Sequence, residues 1–194
     1  GGKPNSDDKY RPERALPASK KVIIFSPHPD DDVISMGGTF DRLVSQGHEV
    51  HIAYQTSGNI AVSDQDALKY LEVTSDFISS KEDESIGKLI KAFEVINPQK
   101  PIPRSICDLK GSIRKRESLG ATRYMGIPDS QVHFMNLPFY ETGMIAKNPV
   151  SKVDIDHTVA LIEKIKPHQI YAAGDLADPH GTHRVCLDIV FESL

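Results

Sequence analysis

The 194-residue chain is 39% hydrophobic, ordinary for a folded domain, and long enough for one buried core. A net charge of −4 and an isoelectric point of ≈ 6.1 leave no basic field, so nucleic acid is not an expected partner. Only Cys107 and Cys186 are cysteines, the start is not signal-like, and no apolar run approaches the roughly 18 residues of a membrane span; a reducing, cytoplasmic setting without a membrane segment is expected.

Gly1 to Ser19 is rich in Pro, Lys, Asp and Ser without apolar periodicity and reads as a linker or extended arm, with the folded domain over 20–194. Lys21 to Phe25 predicts a buried strand, Val33 to Gln46 a helix stopped by Gly47, and Glu49 to Tyr54 a second strand, together a βαβ unit with parallel pairing. Two helices are expected over 64–80 and 82–96, the second halted by Asn97-Pro98, and a proline loop over 100–104. Ser112 to Met125 predicts a further helix, Gln131 to Met135 a strand, and Asn136 to Val150 a long loop. Ser151 caps a helix to Ile165, Gln169 to Ala173 is a fourth strand, and Gly181 opens a last helix whose abrupt stop at Leu194 suggests a chain cut from a longer one. This order predicts an α/β, three-layer Rossmann-like sandwich with a mostly parallel sheet. Gly37-Gly38 lies inside the first helix and forms no Gly-x-Gly-x-x-Gly turn, so a dinucleotide is disfavoured.

Chemistry concentrates in two places. Ser26-Pro27-His28-Pro29-Asp30-Asp31-Asp32 follows strand one, and Asp178-Pro179-His180-Gly181-Thr182-His183 follows strand four. Both fall at carboxyl ends of parallel strands, where open α/β sheets place their sites, so one crevice can hold both. Two imidazoles and a carboxylate are the donor set of a catalytic zinc site with an open position. Each piece also has an ordinary reading as a helix start, with Asp30 to Asp32 complementing a helix dipole and Asp178-Pro179 as N-cap and N1. Cys186, one turn beyond His183, is expected as a buried thiol rather than a fourth ligand, and Cys107 as a loop thiol. His48, His51, His133, His157 and His168 are expected in surface or core roles. The basic cluster Lys110, Arg114, Lys115, Arg116 is either a solvated helix face or an anion site.

These residues resemble the LmbE/PIG-L family of zinc-dependent N-acetylglucosaminyl deacetylases. The likeness extends through Arg114-x-x-Glu117, Met125-Gly126 and Asn136-Leu137-Pro138, interrupted by a helical insertion at about 63–111. It implies that His28, Asp31 and His183 bind Zn²⁺ or another divalent metal, that Asp30 is the general base, and that His180 assists the tetrahedral intermediate or leaving amine. Arg114 is then the substrate contact, oriented by Glu117, and Asp32 supports the site from behind. The chain departs from the family with Asp32 in place of Glu and His-Gly-Thr-His in place of His-Pro-Asp-His. The start also resembles the joint in long bacterial glucosamine-6-phosphate deaminase-like proteins, in which an LmbE-like domain follows a deaminase-like one. The implied substrate is an N-acetylated amino sugar or its 6-phosphate; a non-catalytic sugar- or metal-binding module and a metal phosphoesterase are the alternatives.

Overall fold

The computed structural model describes residues 17–77, 83–97, 100–175 and 177–194. The expected linker over 1–16, the helix ends within 78–82, Pro98 and Leu176 lie outside them.

Val22, Ile23, Ile24 and Phe25 are all fully buried, and a strand apolar on both faces belongs in the middle of a covered sheet. That strand is β1 (Lys21–Ser26), followed by β2 (Glu49–Tyr54), β3 (Val132–Phe134) and β4 (Gln169–Ala172). The sheet order is β3-β2-β1-β4, with every pairing parallel. Val22 and Ile24 pack on one face with Phe40, Leu43 and Leu119, while Ile23 and Phe25 pack on the other with Ile165 and Val190. Helices therefore cover both faces, giving the three layers expected. The chain steps from β1 to β2 to β3 in one direction and returns to place β4 on the far side of β1. The crevice at the carboxyl ends of β1 and β4 is thus the topological switch point.

The first crossover differs from the single helix expected. A short α1 (Asp31–Ile34) and a separate α2 (Gly37–Ser45) meet at Ser35-Met36, because Gly37-Gly38 is a weak helix continuation and Met36 takes an extended φ of −136° at the cap. Gly47, at φ 75°, ends α2 in the expected left-handed conformation.

Residues 64–75 and 83–94 form α3 (Asp64–Ser75) and α4 (Asp83–Glu94). The next helix, α5 (Arg104–Tyr124), begins eight residues earlier than its periodicity predicts. Pro103 caps it rather than breaking it, its carbonyl accepting from Ile106 and Cys107 N–H groups. Cys107 is therefore a buried helical thiol and not the loop thiol expected. Lys110, with its side chain 7% exposed, reaches Asp64 at 2.6 Å and fastens α3 to α5.

After β3 an irregular loop runs to α6 (Lys152–Ile165), and α7 (Thr182–Glu192) ends the fold. Asp154, fully buried, accepts from Ser151 N at 2.9 Å and from Phe139 N at 2.9 Å, so the start of α6 anchors the loop. Among the described residues no helix is long and apolar enough to cross a membrane.

Candidate functional site

Prolines 27 and 29 end β1 and turn the chain sharply, with Asp30 N donating to the His28 carbonyl at 2.8 Å. The turn is pinned from behind. Ser26 Oγ donates to the His28 carbonyl at 2.6 Å and accepts from Asp32 N at 3.0 Å, while the Tyr54 hydroxyl donates to Asp32 Oδ2 at 2.9 Å. Asp32 is fully buried, and burial pushes its carboxyl up to about 6 against the Tyr54 hydrogen bond. These bonds make Asp32 a brace of the turn.

The α7 end arrives from the other side of the crevice. Gly181, at φ 72°, occupies the cap and α7 begins at Thr182, so Asp178-Pro179 is not the N-cap and N1 pair of the ordinary reading. Asp178 instead accepts from His183 N at 3.1 Å and His180 N at 3.0 Å, and its Oδ1 lies 3.2 Å from His180 Nδ1. Burial opposes its charge, but these backbone and ring hydrogen bonds hold its carboxyl down to about 2. Asp178 thus places a carboxylate beside both histidines, meeting the ring of His180 and only the backbone N–H of His183. Sequence reasoning overlooked this, although an Asp two residues before His180 was the available signal.

His28 Nδ1, Asp31 Oδ2 and His183 Nε2 converge. The separations are 3.3 Å between His28 and Asp31, 3.2 Å between His28 and His183, and 3.2 Å between His183 and Asp31. Ligands at about 2.0–2.1 Å from a tetrahedral ion lie roughly 3.3 Å apart, so these atoms match one face of a zinc-sized tetrahedron, with the fourth vertex open. Three acceptor atoms this close need shared protons or a cation, and one cation satisfies all three. Burial works against the Asp31 charge, yet hydrogen bonds from the His28 ring and N–H, and the nearby His183, lower its pKa below the ordinary value. His183 Nδ1 is buried without a hydrogen-bond partner. The fully buried Cys186 remains behind the cluster, its carbonyl accepting from Gln55 Nε2.

Asp30 occupies the cap position of α1, but its side chain does not cap the helix. Its Oδ2 pairs with Arg114 Nη2 at 2.7 Å. Arg114 Nη1 lies 3.5 Å from Glu117 Oε2, and its Nε is buried without a partner. A Cβ at Gly58 would lie 2.9 Å from Pro29 Cδ and 3.4 Å from Arg114 Nε, so glycine there allows the turn and the guanidinium to meet. The basic cluster is consequently not one face: Lys110 serves Asp64, Arg114 serves Asp30, and Lys115 Nζ lies 4.8 Å from the Phe134 ring centroid. His180 is the outlying member, with its side chain 80% exposed.

The loop after β3 contributes groups the sequence did not single out. Tyr140 stands edge-on to His28 with centroids 5.8 Å apart, and Lys147 Nζ lies 4.1 Å from the Tyr140 centroid. Glu141 accepts from Ser57 N and Asn59 Nδ2, both at 3.1 Å. Their separation in sequence and the absence of regular structure in this loop left no periodic signal.

Comparison with known proteins gives the chain its relatives. The whole chain is 53% identical over 201 residues to a glucosamine-6-phosphate deaminase-like protein of Bacteroides thetaiotaomicron, but spans only 30% of that relative's length. It is 27% identical over 165 residues to a diacetylchitobiose deacetylase of Thermococcus kodakarensis, covering 80% of this chain and 59% of the relative. A solved N,N′-diacetylchitobiose deacetylase from Pyrococcus horikoshii shares the fold, with a TM-score of 0.60 and 21% identity over 93% of this chain and 51% of that one. GalB, a 4-carboxy-2-hydroxymuconate hydratase from Pseudomonas putida, also shares it, with a TM-score of 0.54 and 14% identity over 90% and 55%. Residues 23–194 match the family model described as PIG-L, GlcNAc-PI de-N-acetylase, and the chain belongs to that family.

Proposed function

We propose that this chain is a zinc-dependent amide hydrolase that removes the acetyl group from an N-acetylglucosamine-type sugar, working in the cytoplasm. The observation that carries the reading is the convergence of His28 Nδ1, Asp31 Oδ2 and His183 Nε2 on one point at the switch-point crevice. A divalent metal held there supplies acidity to a water and polarises an acyl carbonyl. The protein's own residues do the rest. Asp30, beside the ligands and steadied by Arg114, takes the proton from the attacking water. His180, whose Nδ1 is turned toward Asp178, presents Nε2 to protonate the departing amine. Arg114 keeps its nitrogen nearest Glu117 as the donor for a sugar oxygen, with Glu117 orienting it.

The longer deaminase-like relative supports a setting in which this domain is fused to a deaminase-like one. Deacetylation there exposes the amine that a deaminase consumes, and this context favours the 6-phosphate.

The test is acetate release by the zinc-loaded chain from N-acetylglucosamine and its 6-phosphate, with Asp30→Asn alongside. Turnover that disappears in Asp30→Asn while bound zinc is retained is the expected result. Zinc bound without turnover on either sugar sinks the deacetylase reading and leaves a binding module; release of phosphate in place of acetate makes it a phosphoesterase.

A further inference from the structure

A ligand atom serves an ion best when its side chain is already aimed, and outer partners do the aiming. Asp31 is aimed by the His28 N–H, which donates to its Oδ2 at 2.9 Å. His183 is carried on α7, and its N–H donates to Asp178 Oδ2 at 3.1 Å. His28 lacks the usual device. A metal-binding imidazole ordinarily donates from its second nitrogen to a carboxylate or carbonyl, which fixes the plane of the ring. Here Nδ1 of His28 faces the cluster, and its Nε2 has no hydrogen-bond partner among the described residues. Packing alone must then hold the ring.

Tyr140 supplies that packing. The two rings meet edge to face at 69°, with centroids 5.8 Å apart, a favoured arrangement for aromatic pairs. Tyr140 is itself held on every side. It is 4% exposed and packs with Leu137, Phe139, Cys186 and Ile189. Phe139 stands edge-on to it at 6.3 Å, and the Ile60 backbone N–H is directed at its hydroxyl oxygen.

Lys147 closes the stack. Its Nζ lies 4.1 Å from the Tyr140 centroid, and it makes no ion pair among the described residues. Burial lowers its pKa while nearby Glu141 works the other way, as suits an ammonium resting on a ring with water partly excluded. The loop that carries Lys147 is tied back over Tyr140. Asn148 N donates to the Phe139 carbonyl at 2.9 Å, and Thr142 Oγ1 donates to the Ala146 carbonyl at 2.8 Å.

We infer that Tyr140 is the positioning residue of His28: its ring, backed by Lys147, sets the plane of the imidazole and so aims Nδ1 at the point shared with Asp31 and His183. The phenol oxygen has no part in this, since it is turned to Ile60. The inference rests on the metal-centre reading and adds to it a group that acts on the ion only through another side chain.

Zinc affinity is measured by competition with a chromophoric chelator, and site geometry by the visible absorption of the cobalt-substituted chain, for the unmutated chain, Tyr140→Phe and Tyr140→Leu. Tyr140→Leu is expected to bind zinc about 10–100-fold more weakly, the usual worth of outer support, and to alter the cobalt bands. Tyr140→Phe keeps the ring and is expected to match the unmutated chain in both. Melting of the metal-free variants shows which are folded. Unchanged affinity and spectrum in folded Tyr140→Leu overturn the assignment, as does an equal loss in Tyr140→Phe, which gives the role to the hydroxyl. Should Tyr140→Leu not fold, the unmutated metal-free chain decides: nuclear Overhauser cross-peaks between the ring protons of His28 and Tyr140 are expected, and their absence overturns the inference. Failure of the unmutated chain to bind zinc overturns the metal-centre reading instead, and the same cross-peaks still judge whether Tyr140 holds the ring.

Discussion

Two pairs of histidines approach each other in this fold, each with a carboxylate, and they are built for different ends. At the crevice, His28 and His183 meet at 3.2 Å and both turn the same atoms toward Asp31, so three donors share one point. On the α6/α7 face of the sheet, His51 Nδ1 meets His133 Nε2 at 3.0 Å while the opposite nitrogen of His51 takes Glu49 Oε1 at 3.0 Å. That second set is a line, with His51 using both nitrogens, and no single ion can be reached by all three groups. Convergence suits a single cation; a chain of pairwise contacts suits hydrogen bonds alone.

The largest effect should come from breaking the convergent set. Asp31→Asn or His183→Gln should reduce bound zinc, measured by plasma emission on the dialysed chain, from about one ion to near none. His133→Gln should leave it unchanged, and loss of zinc in that variant would erase the distinction. A smaller loss is expected from Asp178→Asn, which touches only the backbone and ring that orient His183 and His180. Zinc affinity in a competitive chelator titration should fall by about 10–100-fold, the usual worth of such outer support.

Substitution of Gly58 by Ala places a methyl 2.9 Å from Pro29 at a φ of 64° and should cost about 1–3 kcal/mol in denaturant unfolding. The linear set should announce itself in acid. Burial lowers the His133 pKa to about 4, with the neighbouring His51 and Lys164 adding to it. Its folded pKa lies below the unfolded value near 6.5, so the unfolded chain binds more protons between them. The stability is complete above about pH 6.5 and is lost as pH falls toward 4. Melting temperatures of the metal-free chain across that window should fall less steeply in His133→Gln, and identical slopes would refute the assignment.

Much of the candidate site is legible in the sequence, for a physical reason. Prolines 27 and 29 forbid regular structure after an apolar strand, and Asp-Pro before His-x-x-His marks a second such stop, so topology alone could bring the two together. The four strands were legible because each is a short segment between breakers, apolar throughout in the first and alternating in the second. What stayed hidden depended on partners distant in sequence. Nothing local says that Asp30 will meet Arg114 or that Lys110 will be buried against Asp64. The early start of α5 was masked by Pro101 and Pro103, which precede it, and by Gly111 within it, whose low propensity is overridden by the packing of Ile106 and Cys107.

Gln55 gives the crevice one last property. Its N–H donates to Ser26, its carbonyl accepts from Leu137, and its side-chain amide donates to Cys186, each at 2.9 Å, while the residue is 1% exposed. One residue thus knots together the β1 exit, the loop after β3 and the helix carrying His183. Small zinc domains that form their site only on folding must bind metal in order to fold at all. Here the candidate ligands are tied in place by neutral hydrogen bonds that owe nothing to an ion, so a metal would be captured by a finished receptor. Its speed would then be governed by diffusion and by how fast the ion sheds its waters, and a chelator that stripped the site would leave the scaffold standing, ready to be reloaded.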